Sequence, residues 1–125
     1  MYESQGVLHY DDVAKKVIVS VDVELAAYYR SLVPKARYIK PQKYHPHITV
    51  VRSPPRERVT HWYNWGAYEG ELVAFSYDSQ IYHNDTYYWV RAYSERLSQV
   101  RFSLGLDKHR FPDEPWFHIT IGNVK

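Results

Sequence analysis

Two stretches decide how this chain folds: Pro46-His47-Ile48-Thr49-Val50-Val51 and Phe117-His118-Ile119-Thr120-Ile121. In both, β-branched and aromatic residues surround one tripeptide, His-Ile-Thr, and that context reads as a buried strand. A strand sends residues i and i+2 to one face and i+1 to the other. Each His therefore points with its Thr, and each Ile points into the opposite layer. Side by side, two such strands present two imidazoles and two hydroxyls to one cleft. The chain has seven His and four Thr in 125 residues by count of its sequence. Chance then supplies roughly 0.2 His-x-Thr, so two copies in matching contexts are improbable as an accident.

Working outward, the two halves share a layout. In the first, Gly6 to Tyr10 reads as a short strand, Asp11-Asp12 as a turn and Lys15 to Val21 as a strand. Asp22 is a good helix N-cap, and Glu24 adds negative charge to the first turn. Val23 to Leu32 has Leu25, Tyr28, Tyr29 and Leu32 at helical spacing, and Pro34 ends that helix. A basic loop over 35–45 leads to the first motif, and Pro54-Pro55 breaks the strand after it. His61 to Gly66 reads as an aromatic loop or short helical turn. In the second half, Glu71 to Tyr82 and Thr86 to Tyr93 read as a hairpin around His83-Asn84-Asp85. A helix then starts at Ser94, with Leu97, Val100, Phe102 and Leu104 as apolar positions and Gly105 as C-cap. Residues 106–116 form a loop with two prolines before the second motif. His47 follows Asp22 by 25 residues and His118 follows Ser94 by 24. The expected fold is α+β, one bilobed domain over 1–125. Its two pseudo-symmetric β-α-β lobes carry mostly antiparallel sheets that face a central cleft.

Composition bounds the function. The chain fits one domain, and 45% hydrophobic residues can build a core. It lacks a run of roughly 18 apolar residues, so no membrane span is expected. Met1 to Gln5 lacks a basic region ahead of an apolar one, so no secretory leader is expected. Cysteine is absent, which excludes thiolate chemistry and fits a cytoplasmic location. A formal charge of +2 is too small for a bulk polyanion binder. Yet between Lys35 and Arg58 seven Lys/Arg face one acid, Glu57. That stretch brackets the first motif and suits a positive field at an anion site.

Paired imidazoles suit phosphodiester cleavage without a metal or other cofactor. Imidazole serves as base or acid because its unperturbed pKa lies near neutrality. One His would take a proton from the nucleophile and the other would protonate the leaving oxygen. Thr49 and Thr120 would donate to the non-bridging oxygens. Which His is base and which is acid stays open. The rival is a metal site built on His45 and His47, but zinc needs a third protein ligand, and nothing in the spacing of Asp107, His109 and Asp113 supplies one. For nucleobases, stacking candidates are Tyr10, Trp65, Tyr87, Trp89 and Trp116. Trp116 is favoured because it adjoins the second motif, and Tyr10 and Trp65 are carried with it as substrate-binding positions. Arg52 has the strand parity of Ile48 and Val50, which aims it away from the catalytic face unless a distortion at Pro54-Pro55 turns it back.

The motif pair in a bilobed chain resembles the 2H phosphoesterase superfamily, whose signature is two His-x-Thr/Ser motifs. A closer likeness is to the compact phage anti-CBASS phosphodiesterases, which destroy host cyclic oligonucleotide alarm signals. The segments carrying it are Val17 to Asp22, Tyr28 to Lys35, His47 to Arg52 and Phe117 to Asn123. The resemblance implies His47 and His118 as the catalytic pair, Thr49 and Thr120 as phosphate-binding hydroxyls, and a cyclic di- or trinucleotide substrate opened at a 3',5' linkage. It also implies a host-cell cytoplasmic location and no stable protein partner. The chain ends at Lys125, so a base contact drawn from a C-terminal extension is not expected. An RNA 2',3'-cyclic phosphodiesterase is the alternative within the superfamily. A non-catalytic nucleotide or single-strand RNA-binding module is the alternative outside it, and it leaves the doubled His-Ile-Thr unexplained.

Overall fold

The computed structural model describes residues 1–109 and 113–125. The first half contains strand β1 (Tyr2–Asp11), strand β2 (Lys16–Ser20), helix α1 (Val23–Ser31) and strand β3 (His47–Val51). The second contains β4 (Leu72–Tyr77), a two-residue strand β5 (Tyr82–His83), β6 (Tyr87–Tyr93), helix α2 (Glu95–Ser103) and β7 (Phe117–Asn123). Short 3₁₀ turns occupy Lys35–Arg37 and Trp62–Asn64. No helix among the described residues is long and apolar enough to cross a membrane.

The chain is α+β, and its strand pairings are antiparallel. Strand order is β4-β1-β2-β3-β7-β6-β5, and β4 also pairs with β6. The two sheets expected from sequence are therefore joined into one closed sheet, with β5 appended outside the ring. The halves remain equivalent in topology. Each runs β-β-α-β, with β1 beside β4 and β3 beside β7.

Both helices start where the capping signals put them. The Asp22 carboxylate accepts from Glu24 N at 2.8 Å, and the Ser94 hydroxyl from Leu97 N at 3.3 Å. Each satisfies a backbone donor that a helix end leaves unpaired. Two strand expectations change. β1 extends back to Tyr2, because its polar first half pairs with β4 from Tyr2↔Tyr77 to Val7↔Leu72. The strand expected over Glu71 to Tyr82 breaks after Tyr77. There the Asp78 carboxylate accepts from Gln80 N and makes a turn, so the hairpin around His83 is the short β5–β6 pair.

The core lies between the sheet and the helices. Leu8, Val19, Ile48, Ile119 and Val90 form a row across five strands through successive register pairs. None of the five exposes any surface. The two motif isoleucines sit at its centre, and truncating either to Ala should cost about 2–5 kcal/mol. From the helices come Ala26, Tyr29, Leu97 and Val100. The helix faces differ from the apolar spacing in four places. Tyr28, Leu32 and Phe102 are exposed, while Arg101 is buried, with 2% of its surface exposed. Helix α1 packs on β7, and α2 packs on β3 and β4, so each helix reaches the motif strand of the other half.

Candidate active site

Strand alternation does at the motifs what the sequence requires. Ile48 and Ile119 point into the core, while His47, Thr49, His118 and Thr120 are half-buried on the other face. All four line one cleft of about 500 Å³. β3 and β7 are joined through Ile48↔Ile119. In an antiparallel pair that register sets His47 level with Thr120 and Thr49 level with His118. The imidazoles and hydroxyls thus alternate around a pseudo-twofold axis.

The two histidines are supported differently. His47 Nδ1 lies 2.8 Å from the His45 carbonyl oxygen. A carbonyl only accepts, so Nδ1 carries the proton, and the neutral ring keeps its lone pair on Nε2. His118 stacks on the indole of Trp89, with ring centroids 5.0 Å apart and planes inclined by 25°. Trp89 is the cross-strand partner of Thr120, which puts its ring on the motif face.

Each motif strand also bulges just past its threonine. On β3 the register steps from Ile18↔Thr49 to Val17↔Val51, leaving Val50 without a counterpart. On β7 it steps from Trp89↔Thr120 to Tyr88↔Gly122, leaving Ile121 without one. Both extra residues are the third after the motif His. A bulge inserts one residue and reverses the facing of the residues beyond it. Simple parity aims Arg52 away from the cleft, but the bulge turns it back, and Arg52 lines the cleft. The signal was legible in Val50-Val51, since two successive apolar residues interrupt the alternation. Asn123, equivalent to Arg52 in the second half, donates its side-chain amide to Gln42, which also lines the cleft.

Lys16, Arg56 and Tyr87 complete the part of the wall that sequence reasoning did not single out as site residues or ranked below others. Among the described residues no carboxylate lines the cleft, and Lys16, Arg52 and Arg56 give it a positive field, with Arg52 Nε 4.0 Å from the Glu57 carboxylate behind the wall. From the basic stretch between Lys35 and Arg58, Arg52 and Arg56 reach this wall. His45 lines it too, but among the described residues no three His, Cys, Asp or Glu side chains converge.

The three proposed stacking residues lie elsewhere. Tyr10 is buried at 4% in the core, where burial raises its hydroxyl pKa above the ordinary value. Trp65 packs edge-on against Tyr10 at 5.2 Å and donates its indole N–H to Asp12 at 2.7 Å. Trp116 has the Arg91 guanidinium 3.8 Å above its ring, and Tyr82 takes the same guanidinium at 3.9 Å. Hydrophobic burial claims Tyr10, and a cation claims the face of Trp116. Of the wider set of candidates, Tyr87 lines the cleft and Trp89 supports His118. The loop expected over 106–116 includes residues 110–112, which lie outside the described residues.

No protein-family model matches the sequence, and no curated protein or solved structure matches it significantly.

Proposed function

We propose that this protein is a metal-independent phosphodiesterase of the 2H type, with His47 and His118 as its base and acid. The observation that carries the reading is that both His-Ile-Thr pairs line one cleft with three cations and, among the described residues, no carboxylate. The closed, pseudo-twofold α+β sheet is compatible with the bilobed arrangement expected from the resemblance. The commitment of the His47 Nδ1–H to the His45 carbonyl leaves Nε2 to accept a proton and favours His47 as base. A ring stacked on an indole is stabilised when it carries positive charge, which favours His118 as the acid.

Nε2 of His47 takes the proton of a ribose 2'-OH. The oxygen attacks phosphorus, the new O2'–P bond forms and the P–O5' bond breaks. His118 gives its proton to the departing O5'. The product is a 2',3'-cyclic phosphate, and water can open it with the roles reversed. Thr49, Thr120 and Arg52 stabilise the charge growing on the non-bridging oxygens.

The substrate class we propose is a cyclic di- or trinucleotide of the kind used as an immune signal, on the strength of the sequence likeness. A cavity of about 500 Å³ lies within the usual range for small-ligand sites. Incubation with a panel of cyclic dinucleotides and trinucleotides and with an RNA bearing a 2',3'-cyclic phosphate, each with and without EDTA, tests it. Linearised nucleotide in both conditions, with a bell-shaped pH profile, is expected. Turnover of the RNA alone selects the RNA-end reading. Loss of turnover in EDTA removes the two-histidine scheme, and binding without turnover of any substrate leaves a nucleotide-binding module.

A further inference from the structure

A bulged residue leaves the strand ladder, so its peptide groups need other partners. Val50 and Ile121 are fully buried, so water does not take their place. In both halves the partner is an arginine in the last turn of a helix. Arg101 Nη1 of α2 donates to the Val50 carbonyl at 2.8 Å. Arg30 Nη1 of α1 donates to the Ile121 carbonyl at 3.0 Å. Donor atom, helix turn and acceptor position coincide, and each helix serves the strand of the opposite half. On the first side the lock is double. The Glu57 carboxylate pairs with Arg101 Nη2 at 2.7 Å and accepts from Arg52 N at 2.9 Å. On the second side the backbone of Lys40 exchanges hydrogen bonds with Asn123 in both directions. An added Cβ on Gly122 would sit 2.9 Å from Lys40 O and 3.4 Å from Arg30 Cδ.

We infer that Arg30 and Arg101 are reciprocal positioning residues, each holding the bulge that fixes the other half's threonine and the residue beyond it, Arg52 in the cleft wall or Asn123 on the cleft-lining Gln42. Neither arginine touches the reacting atoms. Each acts by fixing where Thr49 with Arg52, or Thr120 with Asn123, points. The kinetic consequence rests on the phosphodiesterase reading, whereas the structural consequence does not.

Arg30 is the side to test first, because it is half-buried and free of the buried ion pair. Arg30→Met and Arg30→Lys are compared by amide NMR of the unliganded protein, by thermal melting and by turnover of a cyclic dinucleotide. Expected for Arg30→Met are shifted amide signals over 120–123, unchanged signals over 48–51, and a kcat at least tenfold lower with KM within threefold. Arg30→Lys keeps one donor in reach of the carbonyl and should restore both the signals and most of kcat. Arg101→Met should shift the amide signals over 48–52 and leave 120–123 unchanged, the mirror of Arg30→Met. Unchanged amide signals over 120–123 in Arg30→Met overturn the clamp. So does a variant that melts earlier yet keeps wild-type kcat in its folded fraction, since that is a merely structural role. If the wild-type chain turns over no phosphodiester, the function falls while the amide signals still decide the clamp.

Discussion

The two motif strands have the same topology and opposite chemistry. Around β3, charge does the holding. Arg101 and Glu57 form an ion pair with 2% and 9% of their side chains exposed, and that pair closes on the bulge from both its carbonyl and its following amide. His47 is likewise fixed by a hydrogen bond, to a neighbouring carbonyl. Around β7, packing and backbone contact do more of the work. Gly122 lets the Lys40 backbone approach, Arg30 supplies one hydrogen bond, and an indole face packs on His118. Duplicate topology thus delivers two histidines to one cleft in unequal environments. In the proposed reaction one serves as base and the other as acid.

The largest effect should come from removing either ring. His47→Ala and His118→Ala should each lower turnover by roughly 10²–10⁴, the range for a lost general acid or base. The comparison sharpens if the substrate carries a good leaving group such as 4-nitrophenolate, which needs no proton. His118→Ala should then recover most of its loss and His47→Ala should not. Equal recovery by both variants would break the assignment of unequal roles. Near-full activity in either variant on the natural linkage would break the pair itself.

Stability should separate the halves next. Glu57→Ala leaves the Arg101 guanidinium buried without its carboxylate, and breaking a buried pair in that way costs about 3–5 kcal/mol. Arg30→Met removes one charge-assisted hydrogen bond from a half-buried site, a loss of about 1.5–3 kcal/mol at most. Denaturant melts of the two variants measure the gap. If Glu57→Ala costs no more than Arg30→Met, the first half is not held by its ion pair.

Much of this was legible locally. Asp22 and Ser94 cap the helices because a short polar side chain before an apolar run has few better uses. The motif strands follow from alternation alone. The features that escaped are non-local. The first half of β1 is polar, and only pairing with β4 makes it a strand. Arg101 occupies a core position that reads as solvent-facing until Glu57 is brought to it across the fold. Arg52 was misdirected by parity because a bulge changes the count by one. Trp116 looked like a base platform from its place beside the second motif, yet Arg91, its neighbour across the sheet, covers the ring. The misses at β1, Arg101 and Trp116 turn on a partner distant in sequence, which no local period encodes, whereas the bulge that turns Arg52 was signalled locally by Val50-Val51.

The smallest expected effect concerns the other end of α2, where the first turn is tied down as the last turn is. Arg96 meets Glu71 through two hydrogen bonds, Nε to Oε2 at 2.8 Å and Nη2 to Oε1 at 2.9 Å. The guanidinium hydrogen bonds hold the Glu71 carboxyl below the ordinary glutamate pKa. A carboxyl with a lowered folded-state pKa contributes stability above its unfolded value of about 4.3, and that stability is lost as pH falls through the folded-state value. Both side chains are one-third exposed, so the contribution should be only about 0.2–1 kcal/mol. Glu71→Gln should therefore melt slightly below wild type at pH 7, and the gap should close as pH falls through the lowered folded-state value, where the Glu71 carboxyl becomes protonated. No gap at pH 7 would assign the tether to packing of Arg96 on the Tyr68 ring, 4.3 Å away. Helix α2 would then be held by charge at its Arg101 end alone, and the contrast between the halves would rest on Glu57.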